Sequence, residues 1–228
     1  MSTTRTAPEV EAEFRARMGD ELGTVFYRLW NECGWLHLKW HIYRDLFGTS
    51  PERIALMNRA APMTCRVFED SLWDDVLLHI CGLTDPAQSG GQHNLTIRAL
   101  PMLAGEIADR LEPAIAAARQ KSDPLRVWRN KRISHRDLLV ATNRSPEPLP
   151  PTSRQTVTEA IDALVAVLHI VEQHYCQNAG TMFGVGVAGD AVSLLWFVRE
   201  GIAAQAARHQ RLKNGTPLPG DLKPVEPV

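Results

Sequence analysis

An all-α fold is the reading the sequence supports, on three observations. Apolar residues recur at helical spacing through most of the chain, no window alternates with period two, and capping residues stand at most loop exits. From Glu9 to Phe47 the stretch is poor in helix breakers, with Phe14, Met18, Leu22, Val25, Phe26, Leu29 and Trp30 on one stripe, so a long first helix is expected to end near Gly48. Ser50, Pro51 and Glu52 supply a cap, a first-turn proline and an early acid for a second helix to Leu83, kinked at Pro62. The turn formers between Thr84 and Asn94 read as a flexible loop, after which Asn94 or Thr96 caps a third helix, interrupted at Pro101 and Pro113 and ending near Lys121. Ser122-Asp123-Pro124 then opens a fourth, LRVWRNKRISHRDLLV.

The prolines of residues 145–151 forbid helix and ladder alike, so that run reads as an extended linker. Thr152 with Gln155 makes a capping box for a fifth helix to about Tyr175, and Asp190, after a glycine-rich segment, caps a sixth. The expectation is a bundle of about six helices in one domain over residues 9–214, with residues 1–8 and 215–228 as disordered ends.

The chain has 228 residues, 44% of them apolar and 22% charged, which suits one large domain or two small ones and excludes wholesale disorder or a rod. Its 25 basic and 26 acidic side chains nearly cancel, so any polyanionic partner must be met by a local patch. Cys33, Cys65, Cys81 and Cys176 show no C-x-x-C spacing and read as reduced thiols in a helical interior. With no apolar leader and no run long enough to span a bilayer, the expected compartment is the cytoplasm, without a membrane partner.

One stretch breaks the balance. Residues 119–136 hold Arg119, Lys121, Arg126, Arg129, Lys131, Arg132 and Arg136 against Asp123 alone, an electrostatic footprint for phosphates unless acids elsewhere neutralise it. Within it, Arg129 and Asn130 precede His135 by six and five residues. At about 100° per residue an ideal α-helix would turn His135 about 240° from Arg129, so either the helix ends or bends near Ser134 or a second subunit completes a site. Asp137 has two readings, as a positioner of His135 or as a charge at a helix end.

The motif and its surroundings resemble a known family. RNKRISH resembles the signature of the HEPN superfamily, an arginine followed by a polar residue, with four to six residues between the arginine and a histidine. The ordered pieces RDLFG, ERIALMNRAAP, LWDDVLLHICGLTDP, NLTIRALP, PLRVWRNKRISHRDL, LPPTSRQTVTEAIDAL and GDAVSLLWFVREG resemble its abortive-infection, AbiU-type branch over about residues 40–205. The resemblance implies an up-and-down α-helical bundle that dimerises, placing two motifs in one composite cleft. It further implies a metal-independent endoribonuclease, needing no cofactor, in phage defence or a toxin-like response, with an antitoxin or regulatory protein as a further partner. A non-catalytic module of the same fold, binding RNA, nucleotide or protein, is the alternative.

The chemistry needs few groups, because RNA carries its own nucleophile in the 2′-hydroxyl. An imidazole suits either proton transfer at neutral pH, so His135 is assigned as general base or general acid. Arg129 clamps the phosphate and Asn130 orients it, while Arg126, Lys131, Arg132 and Arg136 hold neighbouring phosphates. Trp128 is read as core in preference to a base-stacking ring, and Trp30, Trp35, Trp40, Trp73 and Trp196 as core or subunit interface. A reading from a different class places a divalent metal on His37, His41, Asp75 and His79, at i, i+4 spacing on two helices. Against it, the Glu-x-x-His pairs of di-metal bundles are missing, and Asp74 and Asp75 are better suited to accept from arginines of a neighbouring helix, the basic patch included.

Overall fold

The computed structural model describes residues 5–134, 137–145, 148–177 and 190–223. The all-α expectation holds. Among the described residues the helices are α1 (Ala7–Met18), α2 (Asp20–Tyr43), α3 (Pro51–Ala60), α4 (Pro62–Leu83), α5 (Leu100–Leu103), α6 (Ala108–Trp128), α7 (Leu138–Ala141), α8 (Arg154–Cys176) and α9 (Asp190–Lys213). Two-residue strands β1 (Gln88–Ser89) and β2 (Gln92–His93) are the described exception.

The chain divides into two compact units, residues 1–41 with 71–185, and residues 42–70 with 186–228. The proline stretch 145–151 lies inside the first.

In the first unit, the expected single first helix is two. The apolar stripe runs unbroken through Met18 and Leu22, but Gly19 takes φ +84° and its N–H closes α1 on the Arg15 carbonyl. The turn folds α1 against α2, setting Phe14 edge-on to Phe26 at 5.0 Å between ring centroids. Gly23 makes that approach possible, since a Cβ there would sit 2.5 Å from the Arg15 Cα. Gly23→Ala must push the helices apart and is expected to cost about 1–3 kcal/mol, read as a lowered melting temperature against an unchanged helical spectrum.

The largest helix pair is α6 with α8. Buried residues fall on α6 at Leu111, Ile115, Ala118, Ser122 and Leu125, and on α8 at Val157, Ala160, Ile161, Leu164, Val167, Leu168 and Val171, the alternating threes and fours of one helix face. Lys121 and Glu159 join them at the surface, 2.6 Å apart. This packing carries α6 straight through Pro113 and Pro124, so the fourth helix expected to start after Ser122 is the continuation of the third. Ser122 is no cap: its hydroxyl is buried and donates to the Ala118 carbonyl at 2.8 Å. The cap of α8 is Ser153, which accepts from the Thr156 N–H, one residue beyond the expected Thr152.

The second unit contains α3, the first turns of α4, and α9. Ala61, held extended before Pro62, separates α3 from α4, so Pro62 opens a helix and does not kink one. The segment after α9, expected to be disordered from residue 215, turns back on that helix. The Asp221 carboxylate accepts from Arg211 Nε and Nη2, both at 2.7 Å, and the Arg211 guanidinium with the Leu218 N–H lowers its pKa to about 2.

Candidate functional site: an arginine pair on one carboxylate

The site is built where the C-terminal end of α4, the small hairpin after it and the end of α6 meet, all within the first unit. The loop expected at residues 84–94 is this hairpin. Gly90 and Gly91 both take positive φ, 57° and 78°, the demand of the tight turn joining β1 to β2. Asn94 locks it, donating from Nδ2 to the Pro86 carbonyl (2.8 Å) and Ser89 Oγ (3.0 Å). Of the two candidates, Thr96 is the residue that caps: it accepts from the Arg98 N–H, and its buried hydroxyl also reaches the carbonyls of Leu83 (2.9 Å) and Asp85 (2.8 Å).

The hairpin fixes Asp85, and Asp85 fixes two arginines of the basic patch. Arg126 ion-pairs through Nη1 with Asp85 Oδ1, while its Nη2 donates to Thr84 Oγ1 at 2.6 Å and to the Cys81 carbonyl at 3.3 Å. Arg129 donates from Nη1 to Asp85 Oδ2 at 2.8 Å and from Nε to Asn130 Oδ1 at 3.0 Å. All three charged side chains are only about a quarter exposed, at 24%, 22% and 27% for Arg126, Arg129 and Asp85. Water therefore screens them poorly and each charge depends on the other two. Arg126 is committed on three sides, whereas among the described residues Arg129 Nη2 has no acceptor. Cys81, beside both guanidiniums, is no nucleophile here, because burial pushes its thiol up to about 11 against their pull.

At Arg129 the α-helix stops being one. Residues Arg129–Ile133 form a π-turn, closed by the Ser134 N–H on the Arg129 carbonyl at 2.8 Å, so the ideal-helix angle between Arg129 and His135 has no force at this point. The predicted break near Ser134 is present, and the chain re-enters helix at α7. Asp137 caps that helix, accepting through Oδ1 from the N–H groups of Leu139 (2.8 Å) and Val140 (3.2 Å), which is the helix-end role of its two readings. His135 and Arg136 lie outside the described residues, as does the glycine-rich segment at residues 180–189.

The remaining patch residues are not gathered on the carboxylate. Arg132 is exposed and stands over the Trp128 ring, 5.2 Å from its centroid, and Lys131 is half-buried with its carbonyl accepting from the Asp137 N–H. Trp128 is half-buried and donates its indole N–H to the Pro150 carbonyl at 2.7 Å, tying the proline stretch to the base of the motif. Trp40 is buried, as expected, with its N–H on Thr158 Oγ1 at 3.1 Å; Trp35 and Trp196 are more than half exposed and belong to no core.

The histidines of α2 and α4 do not form the metal cluster. Among the described residues no three His, Cys, Asp or Glu side chains are placed to hold an ion. Asp75 pairs with Lys39 at 2.7 Å, a lysine and not the basic patch, and His79 Nε2 lies 2.8 Å from a Glu32 carboxylate oxygen. Burial lowers the pKa of both His37 and His79 below the ordinary 6.5, outweighing the carboxylates near them. The unfolded chain then binds protons at mildly acidic pH that the folded chain refuses, so stability is expected to fall as pH drops below about 6.5. A series of urea melts on native protein and His79→Gln checks this, the variant showing the shallower acid loss.

The family model for AbiU2, a HEPN family, matches residues 19–187. The chain belongs to the AbiU2 family. The match covers the whole arginine–carboxylate site and leaves out α1 and α9. No curated protein and no solved structure matches the chain. Within this HEPN chain, Asp85 is the participant that the sequence does not single out: its partners stand 41 and 44 residues away, and Asp75, expected to accept from an arginine, pairs with Lys39. The one hint is the charge imbalance of residues 119–136, which hold Asp123 alone and so call for an acid from elsewhere in the chain. Among the described residues no helix is long and apolar enough to cross a membrane.

Proposed function

We propose that the chain is a metal-independent endoribonuclease of the HEPN type, acting in phage defence by abortive infection or in a toxin-like stress response. The observation that carries the reading is Arg129, the arginine of the Arg-Asn-x4-His motif, held half-buried by Asp85 and Asn130 with Nη2 taken by no acceptor among the described residues. In the proposed reaction the 2′-oxygen attacks the adjacent phosphorus as its proton passes to a base, and the bond to the 5′-oxygen breaks as that oxygen takes a proton from an acid. The products are a 2′,3′-cyclic phosphate and a 5′-hydroxyl. His135 performs one of the proton transfers, and a second copy's motif in a homodimer is the proposed source of the other. Arg129 balances the charge that builds on the phosphorus oxygens, with Asn130 fixing the plane of its guanidinium. Lys131, Arg132 and Arg136 contact flanking phosphates, and Arg126 works at one remove by holding Asp85.

The test is RNA cleavage by the purified chain in excess EDTA, with the product ends mapped. Cleavage giving cyclic phosphate ends, lost in Arg129→Ala, is the expected result; cleavage only on adding a divalent metal sinks the proposal. A second reading, a non-catalytic RNA-binding module, draws on one observation: Asp85 already neutralises much of the charge on Arg126 and Arg129, as a structural brace would. It predicts RNA binding with no cut product under any condition.

A further inference from the structure

A cavity of about 400 Å³ has Asp85 in its wall, within the size range of small-ligand sites. Its walls are Glu32 from α2, His79, Gly82 and Leu83 from the last turns of α4, and Asp85, Ser89, Asn94 and Leu95 from the hairpin. No role in phosphate or proton chemistry accounts for it, yet it shares Asp85 with Arg129, so a strand whose phosphate meets Arg129 has its neighbouring nucleoside within reach. The lining offers one hydroxyl donor, Ser89, which accepts from Asn94 and keeps its own proton. Asp85 spends its oxygens on the two arginines, and the Asn94 amide N–H groups go to Pro86 and Ser89. The acceptor on the wall is the Glu32 carboxylate, 46% exposed, with one oxygen 2.8 Å from His79 Nε2. Leu83 and Leu95 supply apolar surface for a flat ring.

We propose that this cavity binds a nucleobase of the RNA held at Arg129, and that Glu32 selects guanine. The proposal rests on the RNA reading above for its neighbour, but its chemistry stands alone. A carboxylate accepts best from two adjacent donors, and of the four bases only guanine offers a ring N–H beside an exocyclic amine on one edge. Adenine and cytosine present the amine without the ring N–H, and uracil the ring N–H without the amine. Base edges read this way are the usual means by which single-stranded RNA is told apart.

The test uses free nucleosides, which carry no phosphate and so read the cavity independently of Arg129. Guanosine, adenosine, cytidine and uridine are titrated onto the full chain by calorimetry or saturation-transfer NMR, with native protein, Glu32→Gln and Gly82→Leu. Gly82 is exposed, takes an ordinary helical φ, and has nothing within 4 Å of where a Cβ would stand, so leucine fills the cavity without straining the helix. Guanosine is expected to bind about tenfold tighter than the others. Glu32→Gln should erase that preference and Gly82→Leu should abolish binding, both at native melting temperature. Equal binding of all four, no binding of any, or a preference that survives Glu32→Gln overturns the proposal. If guanosine binds as expected but Arg129→Ala leaves RNA affinity and cleavage untouched, the cavity stands and the phosphate reading falls.

Discussion

His135→Ala is expected to lower RNA cleavage by about 10² to 10⁴-fold while leaving RNA affinity within about twofold of native, the range that general acid–base catalysis supplies. The split between the two readouts follows from the division of labour proposed for the motif. Binding draws on guanidinium and ammonium groups that meet phosphate charge, and an imidazole largely neutral at pH 7 adds little to it. Turnover needs a proton moved at each of two oxygens, and removing one mover leaves the transition state short of a partner that nothing else in the motif replaces. Rates measured across pH 5 to 9 should lose a limb in the variant, because a group that titrates near neutrality has gone. A native profile in His135→Ala, or a fall in affinity that accounts for the whole loss of rate, would return the histidine to a surface role.

The helical character of this chain was plain in its sequence because apolar spacing is a local signal, and α8 shows it best, with its buried face running from Val157 to Val171 as the periodicity dictates. Boundaries were less legible where two local signals conflict. Phe14, Met18 and Leu22 continue one stripe across Gly19, so periodicity hides a turn that only the positive φ of that glycine discloses. Ser122-Asp123-Pro124 has the look of a helix start, yet the facing surface of α8 buries Ser122 and Leu125 on one helix and overrides it. Pro51 and Pro62 are true starts because each follows an extended residue, Ser50 and Ala61, with no such partner pinning the backbone across it.

The candidate site divides in the same way. Its motif, RNKRISH, is contiguous and could be read directly. Asp85 could not, since its value lies in contacts with residues 41 and 44 positions on, and nothing local distinguishes it from the acid of any turn. The count of acids within residues 119–136 left two outcomes open, a phosphate footprint or a face paired with acids elsewhere. The fold supplies such acids in part, Asp85 for Arg126 and Arg129 and Glu159 for Lys121, leaving a smaller, oriented set of charges.

Asp85→Ala is the stability change of largest expected effect, and it separates positioning from charge. Deleting the carboxylate leaves Arg126 and Arg129 side by side, each three-quarters buried, with like charges and no anion between them. Removing one partner of a fully buried pair typically costs about 3–5 kcal/mol; with water reaching a quarter of each side chain here, about 2–3 kcal/mol is expected, read from urea melts. RNA affinity should hold or rise, because the patch gains net positive charge and a phosphate no longer competes with Asp85 for Arg129. Cleavage should nonetheless fall, by about 10²-fold, since a guanidinium freed from its anchor no longer meets the phosphate in one fixed orientation. That opposition, tighter or equal binding with slower turnover, is what a merely structural loss would not produce: a partly unfolded protein loses both together. Asp85→Asn keeps the shape and one acceptor oxygen, and should recover part of the stability and less of the rate. If the alanine variant instead cuts RNA at the native rate once allowance is made for the folded fraction, Asp85 is a brace for the end of α6 and nothing more, and Arg129 finds its orientation from the phosphate itself.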